Sequence, residues 1–338
     1  MSSGGARVGV VGAGAWGSSL GVLLARKGHD VTVWSHDPEV ADQVTRERRS
    51  PYLPDVAIPD GLTVVADLPA AVRDADLVLS VTPSQFVRGV MERAGPAIPQ
   101  DALIVSASKG IELGSLKRMD EVLSEVLPGR LMERFAVLSG PSFADEVAAE
   151  MPTAVVVAGR SVEVATAVQD IFQTRYFRVY TNTDVAGVEL AGAVKNVIAL
   201  ASGVAAGLGF GHNTTAALIT RGLAEITRLG VALGARRETF YGLAGMGDLV
   251  LTCTGSLSRN RTVGYRLGQG EALDDILDDM SSVAEGVRNS EAVRALAVRH
   301  DVEMPITEEV HAIVHRGRDP AEALASLMER DPKPEDWS

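Results

Sequence analysis

A turn that contains three glycines, set between a strand and a helix near the start of the chain, most limits the folds open to this sequence. A buried-strand pattern, Arg7–Val11, leads directly into Gly12-Ala13-Gly14-Ala15-Trp16-Gly17, and an apolar helical pattern follows. In a G-x-G-x-x-G turn with this placement, Gly12 makes the tight turn, Gly14 admits a pyrophosphate and Gly17 lets the helix pack closely on the strand. Free N–H groups at the helix N-terminus bind the phosphates. The turn therefore predicts a Rossmann-like dinucleotide-binding fold.

The end of the second strand, Asp30–Trp34, leaves the choice of dinucleotide open. An NAD-specific domain usually places an acid about 20 residues after the first glycine, where it binds the ribose 2′-OH. Here the first polar residues are Ser35 and His36, and Asp37 precedes a proline, as a helix cap does. Because no carboxylate is clearly placed to repel a 2′-phosphate, both NADH and NADPH are admissible. His36 is either a contact for that phosphate or a solvated loop residue.

Apolar strand runs that alternate with helical patterns predict a doubly wound parallel sheet. After the second strand these runs cover residues 62–65, 75–80, 103–106, 135–138 and 154–157. In such sheets ligands bind outside the carboxyl ends of the strands. Three polar or small segments leave strands at that edge, residues 81–84, 107–111 and 139–144, and Lys109 is the one cation among them. Lys109 either faces the cofactor or is a surface lysine.

The composition changes near Thr183, where β-branched strand runs give way to long helical patterns rich in Ala, Leu and Gly. We therefore expect a dinucleotide-binding Rossmann domain at residues 1–182 and an all-helical substrate-binding and catalytic domain at residues 183–330. Residues 1–6 and the tail at 331–338 are expected to be disordered.

A lone lysine in a long apolar helix is the strongest candidate for catalysis. Residues 185–206 carry only two charges, Glu189 and Lys195. A buried ammonium is costly unless something pairs with it, and burial lowers its pKa toward the range of proton exchange at neutral pH. Lys195 either has a structural role, by reaching the surface or bridging to an acid elsewhere, or it exchanges protons with a ligand.

Two later segments add polar groups. Asp248 lies in a glycine-rich turn. Three interpretations are open: it is an ordinary turn acid, it orients Lys195, or it accepts a hydrogen bond from a substrate hydroxyl. Residues 251–261 concentrate hydroxyls, an amide and two guanidiniums, among them Ser258, Arg259 and Asn260. Such a loop suits a phosphate, because arginine offers a planar donor fork and Ser and Asn offer directed hydrogen bonds. An exposed hydrophilic loop has the same composition.

Composition excludes several classes of protein. A net charge of −12 argues against nucleic acid and anionic membranes as partners. The single cysteine, Cys253, rules out an intramolecular disulfide, suits a reducing cytoplasm and is interpreted as a small buried residue. Residues 185–206 could span a membrane by length, but their charges and glycines favour a buried bundle helix, so no membrane insertion is expected. We expect a cytoplasmic protein without a signal peptide or a metal site, and a homodimer through the helical domain is a hypothesis.

Seven segments spread over nearly the whole chain can be taken together. They are GAGAWG, SKGIE, SGPSFA, AVKN, NTTAALITRG, LAGMGDLVLTC and SLSRNR. Together they closely resemble the bacterial NAD(P)-dependent glycerol-3-phosphate dehydrogenases. AVKN with GDL and SRNR is far more specific to that family than the glycine turn is.

The resemblance implies a role for each matching position. The family's proton-transfer lysine falls on Lys195. The implied substrate contacts are Lys109, Gly140, Ser142, Lys195, Asp248, Ser258, Arg259 and Asn260. The implied cofactor contacts, besides the glycines, are Ala15, Trp16, His36, Tyr52, Lys109, Ala144, Arg259, Val283 and Glu285. The family often has a serine where Ala15 stands, so one hydroxyl contact with the pyrophosphate is lost while the backbone N–H remains.

The reaction implied by the resemblance is reversible hydride transfer between nicotinamide C4 and C2 of dihydroxyacetone phosphate, with sn-glycerol 3-phosphate as product. Lys195 in its ammonium form would protonate the alkoxide that develops, and Asp248 would orient it. Arg259 and Asn260 would hold the phosphate and fix the geometry at C2. In this family the product supplies the backbone of glycerophospholipids.

Two other interpretations remain open. One is a related dehydrogenase, such as a ketopantoate reductase, a 6-phosphogluconate dehydrogenase or another 2-hydroxyacid enzyme, although the loop at Arg259 favours a small phosphorylated substrate. The other is a dinucleotide sensor without catalysis. Lys195, Asp248 and Arg259 argue against a sensor, because a sensor does not need a buried ammonium.

Overall fold

The computed structural model describes residues 5–280, 284–332 and 334–335 of the 338-residue chain. In these ranges strands alternate with helices as far as Asn182, and helices alone follow. The strands are β1 (Arg7–Val11), β2 (Asp30–Trp34), β3 (Arg49–Ser50), β4 (Leu53–Ala57), β5 (Leu62–Val65), β6 (Leu77–Ser80), β7 (Leu103–Ser106), β8 (Phe135–Ser139), β9 (Thr153–Gly159) and β10 (Phe177–Asn182).

The helices fall into two groups along the chain. Those among the strands are α1 (Ala15–Arg26), α2 (Pro38–Glu47), α3 (Leu68–Val72), α4 (Val87–Ala94), α5 (Met119–Val126), α6 (Gly129–Met132), α7 (Ala144–Ala148) and α8 (Val162–Phe172). Those after the strands are α9 (Val185–Gly207), α10 (His212–Ala232), α11 (Asp248–Thr254), α12 (Arg259–Gly268), α13 (Leu273–Asp278), α14 (Glu285–Arg299), α15 (Pro305–Arg316) and α16 (Pro320–Met328). Short 3₁₀ turns lie at Ser84–Phe86, Gly95–Ala97 and Arg237–Tyr241, and a π turn lies at Leu243–Gly247.

The predicted doubly wound sheet is confirmed. Eight of the described strands form one sheet in the order β10-β9-β8-β7-β6-β1-β2-β5, while β3 and β4 form a separate hairpin. Helices α1 and α8 cover one face of the sheet, and α3, α4, α5 and part of α9 cover the other. The sheet is therefore buried on both faces at its centre, which explains why the central strands β6, β7 and β8 are continuous apolar runs rather than alternating ones.

The sheet differs from the prediction at one edge. β8 and β9 pair antiparallel, whereas every other neighbouring pair in this described sheet is parallel. A parallel pair needs a crossover over the face of the sheet, but residues 140–152 contain only the five-residue α7 and return the chain at the same edge. An apolar run does not encode strand direction, so the sequence pattern could not reveal this reversal. The edge strand β10 and the β3–β4 hairpin were also not predicted.

The ends of the chain agree only partly with the expected disorder. Residues 1–4 lie outside the described residues, but Ala6 is well anchored, since its N–H donates to His29 Nδ1 at 2.9 Å and its carbonyl accepts from Asp30 N at 3.0 Å. The expectation of disorder was therefore wrong for Ala6. In the tail at 331–338, residues 333 and 336–338 lie outside the described residues and the others are exposed. The division into domains at residues 182 and 183 stays a prediction.

Helix α9 is the core of the helical part. It is long and apolar enough to cross a membrane, but 89% of its most apolar stretch is buried inside the protein. Asp184 caps the helix, since its Oδ1 accepts from Gly187 N at 3.0 Å, while Oδ2 accepts from Arg236 N at 2.9 Å and Thr239 Oγ1 at 2.6 Å. This cap ties the start of α9 to the segment that leads toward Asp248.

Helices α9 and α12 approach each other through glycines. A Cβ added to Gly203 on α9 would lie 2.2 Å from the carbonyl oxygen of Arg261. A Cβ added to Gly264 on α12 would lie 2.1 Å from the carbonyl oxygen of Leu200. Both contacts are much shorter than van der Waals distances, so only glycine allows this packing. The close approach brings the start of α12, at Arg259, toward the helix that carries Lys195.

We expect the Gly203→Ala substitution to lower the free energy of unfolding by about 1–3 kcal/mol, because the added methyl overlaps the backbone of α12. Gly89→Ala in α4 is the matched control. No atom lies within 4 Å of a Cβ at Gly89, so this variant gains up to about 1 kcal/mol from helix propensity. Urea denaturation of both variants measures the difference. Equal stability of the two would contradict the packing of α9 on α12.

Candidate active site

The glycine turn has the geometry of a dinucleotide cradle. Gly12 has a φ of +129°, and a Cβ on Gly17 would lie 1.9 Å from the carbonyl oxygen of Gly12. A Cβ on Gly14 would meet nothing within 4 Å, so space is open at the N-terminus of α1, where no side chain caps the helix. Trp16 Nε1 is buried there without a hydrogen-bond partner among the described residues. These features fit the pyrophosphate of a bound dinucleotide.

The residues after β2 keep the question of cofactor preference open. Asp37 caps α2, as predicted, with its Oδ1 accepting from Glu39 N at 2.9 Å. That carboxylate is therefore already engaged in a helix cap. His36 is exposed, and its ring centroid lies 6.0 Å from that of Trp34. Tyr52 lies in the turn between β3 and β4 and is 40% exposed.

Three elements bring together two lysines and one carboxylate. Lys195, on α9, donates to Asp248 Oδ1 and, at 2.8 Å, to Thr252 Oγ1. Lys109, in the loop after β7, donates to Asp248 Oδ2 at 2.7 Å. The side chains of Lys195 and Asp248 are 7% and 1% exposed. Lys195 thus does not reach the surface but bridges to an acid on α11, one of the alternatives that the sequence left open.

Burial and the two positive charges set the electrostatics of this cluster. Burial lowers the pKa of Lys195 to about 8, with Lys109 adding to the decrease and Asp248 opposing it. Burial would raise the pKa of Asp248, but the two ammonium groups outweigh it and lower that pKa. At neutral pH the cluster therefore holds one negative and two positive charges in a largely dry environment.

Lys109 enters the cluster along the carboxyl edge of the sheet. Its stem packs on α9 at Gly192, where an added Cβ would lie 3.5 Å from Lys109 Cγ. Its Nζ is also 3.4 Å from the carbonyl oxygen of Gly140, in the loop after β8. The same carbonyl accepts from Ser142 Oγ at 3.0 Å. The structure thus brings Gly140 and Ser142 beside Lys109, as expected for strand ends at one edge.

The loop at α12 supplies the other predicted substrate residues. Ser258 caps α12, with its Oγ accepting from Arg261 N at 3.3 Å. Asn260 is buried, and its Oδ1 accepts from Gly286 N at 2.9 Å, which leaves its amide N–H groups for a ligand. Arg259 is exposed next to them and interacts electrostatically with Glu285.

The predicted cofactor residues outside the glycine turn have different surroundings. Glu285, at the start of α14, accepts from Ser84 N at 3.3 Å. Burial raises the pKa of its carboxyl to about 7, although this hydrogen bond and nearby cations lower it. Ala144 begins α7, and its carbonyl accepts from Ser19 Oγ of α1 at 2.8 Å, so it lies against the helix of the glycine turn. Val283 lies outside the described residues.

Sequence reasoning missed two polar residues of this region. Thr252 Oγ1 accepts from Lys195 and donates to the carbonyl of Asp248 at 2.6 Å, one helical turn away. Its position four residues after Asp248 was an available signal. Asn289, fully buried on α14, contacts the loop of Lys109 and α9. By contrast, Cys253 is buried, and burial raises the pKa of its thiol to about 12, which suits a space-filling residue.

Comparison with known proteins identifies the family. The family model for the N-terminus of NAD-dependent glycerol-3-phosphate dehydrogenase matches residues 7–165, and the model for its C-terminus matches residues 184–325. The chain belongs to this family. A relative from Geobacter sulfurreducens, named as an NAD(P)+ glycerol-3-phosphate dehydrogenase, is 54% identical over 332 residues, which are 98% of this chain and 99% of the relative.

Solved structures agree with this family. The crystal structure of glycerol-3-phosphate dehydrogenase from Coxiella burnetii has 40% identity and a TM-score of 0.92, and the match covers 96% of this chain and 99% of that one. A ketopantoate reductase from Ralstonia eutropha has 18% identity and a TM-score of 0.61, over 94% of this chain and 99% of that one. The second similarity is of fold alone. The glycerol-3-phosphate dehydrogenase family, rather than the alternative reductase, therefore accounts for the chain.

We expect Asp248→Asn to lower the free energy of unfolding at pH 7 by about 3–5 kcal/mol, because it leaves the buried Lys195 ammonium without its counter-ion. Urea denaturation measures the change. Asp42→Asn, which removes an exposed carboxylate on α2, is the control and changes stability by no more than about 0.5 kcal/mol. Similar small effects for both variants would show that Asp248 does not hold a buried charge.

Proposed function

We propose that the protein catalyses the reversible reduction of dihydroxyacetone phosphate to sn-glycerol 3-phosphate with NADH or NADPH. The observation that carries the proposal is the Lys195–Asp248–Lys109 cluster, located at the carboxyl edge of a dinucleotide-binding sheet in a chain of this family. When bound, the reduced nicotinamide supplies the hydride that the carbonyl carbon of the substrate accepts.

The proposed role of Lys195 is that of the acid. As the substrate carbonyl carbon becomes tetrahedral, its oxygen develops negative charge and needs a proton. Lys195 Nζ donates that proton, and its positive charge stabilises the oxyanion before transfer. A pKa of about 8 keeps most Lys195 side chains protonated at neutral pH while making the proton easier to release. Asp248 and Thr252 fix the position of the ammonium through their hydrogen bonds.

The proposed substrate site surrounds this lysine. We assign the phosphate to the guanidinium of Arg259 and the amide of Asn260, at the start of α12. The other proposed substrate contacts are Lys109, Gly140, Ser142, Asp248 and Ser258. Binding energy from the phosphate, which is remote from the reacting carbon, then orients the carbonyl toward Lys195.

The proposed cofactor site extends from the glycine turn along the sheet edge. Its described residues are Gly12, Gly14, Ala15, Trp16, Gly17, His36, Tyr52, Lys109, Ala144, Arg259 and Glu285. Val283, which lies outside the described residues, is assigned to the cofactor from the family resemblance alone. The open space above Gly14 and the unpaired Trp16 Nε1 support the part that faces the pyrophosphate. We also propose that residues 1–182 form the cofactor domain and residues 183–330 the substrate and catalytic domain.

The wider biological assignment is a proposal as well. We propose a cytoplasmic enzyme that supplies glycerol 3-phosphate for glycerophospholipid synthesis and that forms a homodimer through its helical part. The single, buried cysteine supports a reducing compartment. Exposed apolar side chains of the helical part support an interface there, among them Phe210, Tyr241, Met246, Val250 and Leu257.

We expect dihydroxyacetone phosphate to cause oxidation of NADH or NADPH by the wild type, and Lys195→Met to slow turnover by about 10²–10⁴-fold through loss of the acid. Loss of nicotinamide absorbance measures the rate, and fluorescence of bound NADPH shows whether the cofactor still binds. Lys27→Met removes the lysine at the C-cap of α1, whose Nζ donates to the carbonyl of Ile171 at 3.1 Å, and is the control with unchanged turnover. A wild type inactive with both cofactors would overturn the proposed function.

The pH dependence has opposite signs in the two directions. Reduction needs the ammonium form of Lys195, so its kcat/KM is constant below pH about 8 and falls at higher pH. Oxidation of sn-glycerol 3-phosphate needs the neutral amine, so its kcat/KM rises with pH and levels off above about 8. Steady-state rates from pH 6 to about 10 measure both profiles. If kcat/KM changed with pH in the same direction for reduction and for oxidation, proton transfer would belong to a group other than Lys195.

A further inference from the structure

One buried amide connects the loop of Lys109 to the helix of Lys195. Asn289, on α14, has no exposed surface. Its Nδ2 donates to the carbonyl of Ala193 at 3.3 Å, and its Oδ1 accepts from Ile111 N at 3.4 Å. Ala193 lies two residues before Lys195, and Ile111 lies two residues after Lys109. The two partners of Asn289 are thus the backbone segments that carry the two lysines of the cluster.

The loop of Lys109 is packed tightly where Asn289 touches it. Gly110 has a φ of +156°, and an added Cβ would lie 2.3 Å from Ser84 Oγ and 3.0 Å from Asn289 Oδ1. On the side of the sheet, Gln85 Nε2 donates to the carbonyl of Ile111 at 2.8 Å. The loop is therefore held by Gln85 from the sheet part and by Asn289 from the helical part.

The polar side chain at position 289 is not explained by packing alone. The neighbouring buried positions of α14 include the apolar Ala292, Val293 and Leu296. Burying an amide costs free energy unless both its donor and its acceptor are paired. An apolar residue of similar volume would fill the space without this cost, so the two hydrogen bonds point to a function in fixing geometry.

We propose that Asn289 is a positioning residue that holds the Lys109 loop against α9 at the separation where Lys109 and Lys195 share Asp248. Loss of both hydrogen bonds would let the loop move away and would withdraw Lys109 from Asp248. Lys195 would keep its contacts with Asp248 and Thr252, because none of these side chains contacts Asn289 through a hydrogen bond in the described structure. The kinetic part of this inference rests on the proposed function.

The first test measures the pKa of Lys195 without substrate. The titratable groups that interact with Lys195 in the described structure are Lys109, Asp248, Cys253 and Glu285. The charge of Lys109 lowers the pKa of Lys195, so withdrawing Lys109 raises that pKa, on the order of one unit. NMR titration of protein labelled with ¹³C-lysine gives the value, with Lys195→Met identifying the resonance. Asn289→Leu keeps a similar volume and removes both hydrogen bonds.

Ser290→Ala is the matched control for this titration. Ser290 is the next residue of α14 and is equally buried. Its Oγ lies 2.7 Å from the carbonyl oxygen of Val287 and 2.9 Å from His315 Nε2, and it makes no hydrogen bond to the Lys109 loop in the described structure. The control leaves the pKa of Lys195 unchanged although it also removes two polar contacts of a buried hydroxyl. Asn289→Ser serves as a second variant, and thermal unfolding confirms that the variants are folded. An unchanged Lys195 pKa in both folded variants of Asn289 would overturn the proposal.

The second test separates positioning from a general structural role. If Asn289 acts through Lys109, Asn289→Leu raises KM for dihydroxyacetone phosphate about tenfold and changes kcat much less, as expected for a weakened charged contact. In a Lys109→Met background the same substitution then has no further effect on KM. Additive effects of the two substitutions would overturn the proposal. A wild type that does not reduce dihydroxyacetone phosphate would overturn the proposed function instead, and the titration would still decide the role of Asn289.

Discussion

One buried carboxylate, that of Asp248, is shared by two ammonium groups, and the candidate active site depends on this arrangement. Because two cations meet one anion, the cluster keeps an excess positive charge in a region where water screens little. Burial lowers the pKa of Lys195, with Lys109 adding to the decrease and Asp248 opposing it. The excess positive charge gives this region a local attraction for anions although the chain has a net charge of −12. In the proposed reaction, this charge favours binding of the phosphorylated substrate, and the lowered pKa of Lys195 favours proton transfer.

The three groups come from distant parts of the fold, so their separation depends on how closely the backbones approach. Lys109 follows a strand, Lys195 lies on the central helix, and Asp248 begins a short helix after a π turn. Small residues allow this approach, since a Cβ at Gly192 would lie 3.1 Å from Ser139 Oγ and one at Gly203 would overlap α12. Because protein interiors are densely packed, small residues such as Gly192 and Gly203 determine how closely α9 approaches its neighbours.

Local patterns predicted much of the fold, but the contacts that complete the site are long-range. The glycine turn and the buried strands are encoded within a few residues, and both were recovered from the sequence. The edge strand β10 alternates buried and exposed residues. The direction of β9 relative to β8 depends on a connection whose path no periodicity records. From the sequence, the pairing of Lys195 with Asp248 was only one of several possible roles for Asp248, because the two residues lie on different helices. Asn289 was missed because its partner Ile111 lies 178 residues away in sequence. Thr252 was missed although its spacing from Asp248 was a local signal, because its contact with Lys195 spans 57 residues.

The sharing of Asp248 also links substrate binding to the protonation of Lys195. With no anion bound, Lys109 and the burial of Lys195 both disfavour its ammonium form, and its pKa is about 8. In the proposed site, the phosphate of the substrate lies at Arg259 and Asn260 and brings negative charge toward the cluster. An opposite charge nearby favours the charged form of a lysine. Under the proposed function, binding of this substrate would therefore raise the pKa of Lys195 and increase the fraction that carries the proton needed for reduction. Release of the product removes that charge and returns Lys195 to the lower pKa. If Lys195 is the acid, as proposed, a single electrostatic cluster thus couples binding of the anion to delivery of the proton.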